Sequence, residues 1–294
     1  MPEGKIVKAL SGFYYVLDGQ NVIQCRGRGV FRKNKVTPLV GDHVVYQAEN
    51  KTDGYVLEVK PRENELVRPP ISNVDQAILV FSAIEPSFST SLLDRFLVLI
   101  EHNEIEPIIV ISKMDLLEEE EERRTVLKYA EDYRKLGYEV LETSSVTESG
   151  VKKLIPYLKG KTSVFAGQSG VGKSSLLNAI EPNLDLKTDH ISSHLGRGKH
   201  TTRHVELIHI GEGLVADTPG FSSLDFTDIE SERLGYCFPE IFKYGEECKF
   251  RGCLHDKEPK CAVKKAVEAK DIASYRYEHY MQFLQEIRDR KPRY

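Results

Sequence analysis

No stretch of this 294-residue sequence comes near the ~18–20 consecutive apolar residues that cross a bilayer as a helix, so no membrane association is expected. The opening MPEGKIVKAL lacks an apolar core followed by a small-residue cleavage site, so it does not read as a signal peptide, and a cytoplasmic protein is expected. Cysteine is scarce. Five residues, unevenly placed, are too few for a disulfide scaffold. Three of them, Cys248, Cys253 and Cys261, crowd one short stretch with His255, which points to metal instead. Strong charge of one sign is also lacking: the net charge is −4. Residues 1–68 hold 11 Lys/Arg against 8 Asp/Glu, residues 69–228 hold 16 against 25, and residues 229–294 hold 14 against 12. An acidic middle between mildly basic ends is compatible with flanks that touch nucleic acid, but offsets this small decide nothing.

What is present sorts into three textures. Residues 4–67 are rich in short β-branched or aromatic runs (KIVKAL, GFYYVL, NVIQCRG, DHVVYQA, GYVLEV), punctuated by Asp18-Gly19, Gly41-Asp42 and Asp53-Gly54. Five short strands in about 65 residues predict a small closed barrel, with an OB-fold as the leading candidate. Arg26, Arg28, Arg32, Lys33 and Lys35 cluster in and after the third run, at a plausible barrel mouth or simply in a solvated loop. Val67-Arg68-Pro69-Pro70 reads as a linker, because paired prolines favour extended backbone.

From about residue 71 strands and helices alternate. AILVFSA (77–83) and PIIVIS (107–112) are near-continuous apolar runs of the kind that buried parallel strands require. Helical spacing runs through 92–103 and again from Arg123 to Gly137, behind the solvated glutamates 118–122. With EVLETS, TSVFAG, VELIHIG and GLVADT as further strands, this predicts a doubly wound α/β domain. The segment from 229 reads as mainly helical around the Cys/His cluster.

Gly167-Gln168-Ser169-Gly170-Val171-Gly172-Lys173-Ser174 matches the phosphate-binding loop G-x-x-x-x-G-K-[ST], with the strand TSVFA before it and the helix SSLLNAI, which includes Ser175, after it. Its glycines let backbone N–H groups curl around phosphates at a helix N-terminus. Lys173 would reach the β/γ-phosphates, and the Ser174 hydroxyl would ligate Mg²⁺. Asp217-Thr-Pro-Gly220 fits D-x-x-G, with Asp217 near Mg²⁺ and the Gly220 amide at the γ-phosphate. Between them GRGKHTTRH (196–204) is where a first switch loop would bring a threonine to Mg²⁺; Thr201 and Thr202 are the candidates, and Thr202 is preferred.

A phosphate loop alone does not separate ATP from GTP. Ser112-Lys113-Met114-Asp115, directly after PIIVI, corresponds to N-K-x-D, whose Asp takes two hydrogen bonds from guanine. A carboxylate placed for both guanine donors meets an unfavourable edge on adenine. Serine in place of Asn shortens one arm of that site. Thr143-Ser144-Ser145 resembles the loop whose backbone amide receives the guanine oxygen. Base recognition thus precedes the phosphate loop and switches, the reverse of the familiar order: a circular permutation that runs the second switch straight into the C-terminal segment. Phe221 stands where many GTPases carry a water-orienting Gln. His200 is the candidate replacement, with an ordinary surface histidine as the competing reading.

Cys248-x₄-Cys253-x-His255-x₅-Cys261 offers three thiolates and one imidazole, a closed structural zinc set with no position left for water. Cys25 and Cys237 read as core residues.

Barrel, permuted GTPase and Cys-x₄-Cys-x-His-x₅-Cys together resemble the RsgA family (also called YjeQ or YloQ), the small-ribosomal-subunit-dependent GTPases, over essentially the whole chain. The resemblance implies an OB-fold over 1–68, a permuted GTPase domain over 69–228 and a helical zinc-binding domain over 229–294. It implies a protein that acts in late maturation of the small ribosomal subunit and turns over faster with that subunit; contact with its rRNA, a GTP/GDP cycle and a monomer are expected. By position, 167–174 bind phosphates and Mg²⁺, Lys113 and Asp115 read guanine, His200 is the catalytic histidine, and Cys248, Cys253, His255 and Cys261 bind one zinc. An RNA-binding protein with a decayed nucleotide site is disfavoured by intact Lys173, Ser174, Asp217 and Gly220, and an ATP-using enzyme by Asp115.

Overall fold

The computed structural model describes residues 1–29, 31, 36–67, 69–184, 205–217 and 224–290. Of the sequence candidates, His200, Thr201, Thr202, Gly220 and Phe221 lie outside these residues, as do Arg32, Lys33 and Lys35 of the basic cluster.

Five strands, β1 (Glu3–Leu10), β2 (Phe13–Asp18), β3 (Asn21–Gly27), β4 (His43–Ala48) and β5 (Gly54–Val59), close into a barrel in the order β1-β2-β3-β5-β4. The pairings are antiparallel except β3 with β5. This is the five-stranded architecture that the alternating runs predicted. Ile6, Val16, Cys25, Val44 and Val56 fill it, each fully buried. Arg26 and Arg28 are exposed, and the Arg26 guanidinium lies 5.4 Å from the Phe13 ring centroid.

The supposed linker carries structure of its own. β6 (Glu65–Val67) and β7 (Pro70–Ser72) form a short antiparallel ladder. Proline is tolerated there because it opens an edge strand. The barrel is latched to this ladder by fully buried Asp42. Its carboxylate accepts from Arg62 Nε at 2.7 Å and from the Ser72 hydroxyl at 2.6 Å.

The central domain alternates β8 (Gln76–Ser82), α1 (Thr90–His102), β9 (Glu106–Ser112), α2 (Glu120–Lys135), β10 (Glu139–Glu142), α3 (Val151–Leu158), β11 (Thr162–Ala166), α4 (Lys173–Ile180), β12 (Leu207–Ile210) and β13 (Gly213–Ala216). The sheet order is β10-β9-β8-β11-β13-β12, parallel throughout except for β12 at one edge. Every residue of β8 is buried, as expected of a central strand covered on both faces. Leu93, Leu97 and Val126 from α1 and α2 cover one face, and Leu154, Leu158, Leu176 and Leu177 from α3 and α4 the other. All the parallel strands end on the same side, so the segments after β8, β9, β10 and β11, and Asp217 just past β13, lie along one crevice.

The C-terminal part is helical: α5 (Ser231–Leu234), α6 (Pro239–Gly245), α7 (Ala262–Glu268) and α8 (Ser274–Asp289). A buried ionic cluster joins it to the central domain. Arg276 on α8 is 1 % exposed, and its guanidinium forks between Glu240 of α6 (Nε to Oε1, 2.7 Å) and Asp94 of α1, itself fully buried. Asp94 also accepts from the Tyr133 hydroxyl at 2.5 Å and contacts His279 Nδ1 at 2.6 Å. Arg95, one residue on, lies 4.5 and 4.8 Å from the Phe226 and Phe283 ring centroids and donates to Glu286 at 2.8 Å. Arg290 donates to the Phe226 carbonyl at 2.6 Å. The chain that leaves the second-switch motif is thus held by α1 and by the end of α8. Among the described residues no helix is long and apolar enough to cross a membrane.

Candidate nucleotide site and metal centre

The phosphate loop spans the turn from β11 to α4, and its conformation depends on glycine. Gly167 has φ +139°, and a Cβ there would lie 2.1 Å from the Val80 carbonyl oxygen, so only glycine lets the loop pass this close to β8. Lys173 is buried, and its ammonium donates to the carbonyls of Gly167 (2.8 Å) and Gln168 (2.6 Å). The charge therefore sits inside the loop that would wrap the phosphates. Burial pushes the Lys173 ammonium down to about 8, a shift that anionic phosphates would oppose. Ser174 is buried beside it in the first turn of α4, while Gln168, Ser169 and Gly170 are exposed at the rim.

Ser112 closes β9, and its hydroxyl reaches across to the phosphate loop. It donates to the Val171 carbonyl at 2.5 Å, with the Phe81 carbonyl 3.2 Å away. The shorter side chain at the Asn position thus ties the base-reading segment directly to the phosphate loop. Lys113 adopts a left-handed backbone (φ 58°), which turns the chain sharply out of the strand, and its ammonium donates to the Glu85 carbonyl at 2.5 Å. The Met114 amide donates to the Thr143 carbonyl at 3.2 Å, and the Thr143 amide to Ile111 at 2.7 Å. These bonds hold the two base-side loops together.

Between them lies a pocket of about 190 Å³, lined by Ser112, Lys113, Asp115, Ser145, Gly172 and Ser175 among others. With Thr143, seven residues named from the sequence, from three separate segments, therefore line one cavity on the scale of a single heterocycle. Asp115 is exposed at its rim, and Ser144 is buried behind Ser145. Leu116, Val146 and Leu176 add apolar wall. Sequence reasoning passed over these three because no motif marks them; adjacency to Asp115, Ser145 and Ser175 is the only local sign.

Asp217 stands just past the end of β13, next to the strand that feeds the phosphate loop. Its Oδ1 accepts from the Glu206 amide at 2.9 Å, and its own amide donates to the Glu206 carbonyl at 2.9 Å. Ser174 and Asp217 offer hard oxygen donors, the chemistry that Mg²⁺ requires, so the residues present fit that ion.

A second constellation lies in the helical part. The ligand atoms of Cys248, Cys253, His255 and Cys261 all fall within 4.8 Å of one another. Cys248 and Cys261 sulfurs are 3.8 Å apart, and His255 Nδ1 lies 3.6 and 3.4 Å from them. A tetrahedron with bonds of about 2.3 Å to sulfur and about 2.0–2.1 Å to nitrogen has edges of about 3.8 Å and about 3.5 Å, so the three edges among Cys248, His255 and Cys261 match zinc, with Cys253 close by as the fourth ligand. Burial lowers the His255 pKa and keeps the imidazole neutral, the ligating form. The ring packs against Gly245, where a Cβ would approach it to 3.4 Å. Tyr277 and Tyr280 fix the ligand loop by donating to the His255 and Leu254 carbonyls at 2.6 and 2.9 Å. Cys25 and Cys237 are buried free thiols away from this cage.

Comparison with known proteins agrees with this architecture. Residues 59–227 match the RsgA GTPase family model, and residues 3–56 match the RsgA N-terminal domain model. A small ribosomal subunit biogenesis GTPase RsgA from Bacillus subtilis is 68% identical, and its counterpart from a Geobacillus strain 65%, each over 100% of both chains. Among solved structures, YloQ, described as a circularly permuted GTPase, superposes with a TM-score of 0.88 at 63% identity, covering 100% of this chain and 97% of the other. YjeQ from Thermotoga maritima gives 0.88 at 41% identity and covers 99% of each. With a barrel, a permuted nucleotide-binding sheet and a Cys₃His cage in one chain, this protein belongs to the RsgA GTPase family.

Proposed function

We propose that this chain binds the small ribosomal subunit and hydrolyses GTP to GDP and phosphate during late maturation of that subunit, with turnover raised by the subunit. The observation that carries the nucleotide part is the Ser112–Val171 bond, which closes base-reading and phosphate-binding segments around one pocket. The ribosomal part rests on the full-length likeness to proteins bearing that name. The proposed division is 1–68 for RNA binding in the barrel, 69–228 for GTP and 229–294 for zinc, in a cytoplasmic monomer.

In this reading Asp115 accepts both guanine donors, Lys113 packs along the base, and a backbone amide of Ser144–Ser145 meets the guanine oxygen. Amides of 167–174 surround the phosphates, and Lys173 leaves the Gly167 and Gln168 carbonyls for the β/γ-phosphates. Ser174, Thr202 and Asp217 would hold Mg²⁺, which when bound neutralises charge on the β- and γ-phosphates. Thr201, Thr202 and Gly220 report the γ-phosphate, and His200 orients the attacking water in place of the Gln that Phe221 displaces. Cys248, Cys253, His255 and Cys261 would hold one structural zinc with no open position.

Three measurements test this. GTP hydrolysis with and without purified small subunits, at two salt concentrations, should rise with subunits and rise less at high salt, because phosphate contacts release counterions. ATP displacing bound GDP as well as GTP does would sink the assignment of Asp115. Metal analysis should find about one zinc per chain, and chelation should unfold the helical part, since the metal's binding energy is folding energy of order ~10 kcal/mol. A folded, active chain free of zinc would remove the metal assignment.

A further inference from the structure

The barrel reaches the nucleotide site through one strand. β1 pairs with β4 only over Glu3–Lys5, so beyond Lys5 that edge of β1 no longer has β4 as its partner. The register against β2 shifts between Ile6 and Lys8, a bulge of the kind that re-aims side chains. At Lys8 the open edge makes an antiparallel bridge to Glu206, just before edge strand β12 of the central sheet. The side chains reinforce the bridge: Lys8 Nζ lies 2.7 Å from Glu206 Oε2. Glu206 is the residue whose amide and carbonyl clasp Asp217, each at 2.9 Å. One oxygen of the Asp217 carboxylate is thereby committed to Glu206, which fixes the side chain's rotation and leaves Oδ2 for other work.

We propose that Glu206 is a positioning residue for Asp217 and that Lys8 of the barrel sets Glu206, so that the barrel governs the rate of GTP hydrolysis through this pair. The inference rests on Asp217 as a ligand of the nucleotide-bound Mg²⁺. The pair acts by geometry. Lys8 and Glu206 are each about one-third exposed, so their attraction adds little stability, but it holds the backbone from which Asp217 hangs.

The test uses the full chain with Lys8→Met, Glu206→Gln and the double exchange Lys8→Glu with Glu206→Lys. Each single variant should lower kcat by about 3–10-fold, with and without small subunits, while KM for GTP stays within about twofold. In the nucleotide-free chain, hydrogen exchange of the 205–217 segment should quicken in both single variants, because the Glu206 amide loses its fixed acceptor. The double exchange should restore both exchange protection and kcat to within about twofold. Unchanged kcat and unchanged exchange in the single variants would overturn the proposal. So would a raised KM for subunits alone, which would make Lys8 a plain RNA contact. Asp217→Asn at the full rate would instead defeat the underlying assignment of Asp217, whatever Lys8 does.

Discussion

Replacing Arg276 by alanine is expected to destabilise the protein by about 3–5 kcal/mol, because it leaves two buried carboxylates without their counter-charge. Asp94 is fully buried and Glu240 nearly so, and the Arg276 guanidinium is the group that forks between them. In a thermal melt this corresponds to a fall of roughly 10 °C in the transition involving α1 and the helical part. Arg276→Lys retains the charge but not the planar fork, so it should recover only part of the loss. A melting temperature within about 2 °C of the parent would show that the cluster contributes specificity of packing rather than stability. The cluster joins residues 182 positions apart in the chain, so the variant reports on the junction between α1 and α8 rather than on either helix alone.

The second large effect falls on turnover. Lys173→Ala is expected to reduce subunit-stimulated phosphate release by about 10²–10³-fold, the range for removing one preorganised donor from developing charge. The nucleotide-free fold should barely change. The lysine's partners are the loop carbonyls of Gly167 and Gln168, and the Gln168 rim is already exposed to water. Stimulated rates within about threefold of the parent would refute the phosphate-loop assignment.

Much of this was legible in sequence, for identifiable reasons. The barrel strands and β8, β9 and β11 announced themselves by apolar alternation or by unbroken apolar runs, which are local consequences of burial. The phosphate loop and the Cys/His set were legible because fixed chemistry demands fixed spacing. What escaped depends on contacts between distant residues. Pro69-Pro70 suggested a bare linker, yet the strands on either side pair, and Asp42, Arg62 and Ser72 lock the ladder to the barrel. Ser112 looked like a shortened arm; that its hydroxyl meets Val171 requires knowing that β9 ends beside the phosphate loop. Asp94 and Arg276 are unremarkable charges on two amphipathic helices until the helices are packed together. The Lys8–Glu206 contact joins a barrel strand to a sheet edge, and no pattern of either segment foretells it.

The sheet order also bears on how the chain is made. Strands β8, β9 and β10 occupy one half of the sheet, and β11, β13 and β12 the other. On a chain emerging from its N-terminus, the first half is complete by Glu142, with the β8 edge bare until β11 arrives at Thr162–Ala166. A bare, largely apolar strand edge is a template for wrong pairing. The base pocket cannot close before then either, since the Ser112 hydroxyl waits for a carbonyl 59 residues downstream. If Lys113, Asp115 and Ser145 read guanine as proposed, the nascent chain carries its base contacts before its phosphate loop, and full nucleotide capture waits for the second half-sheet to dock.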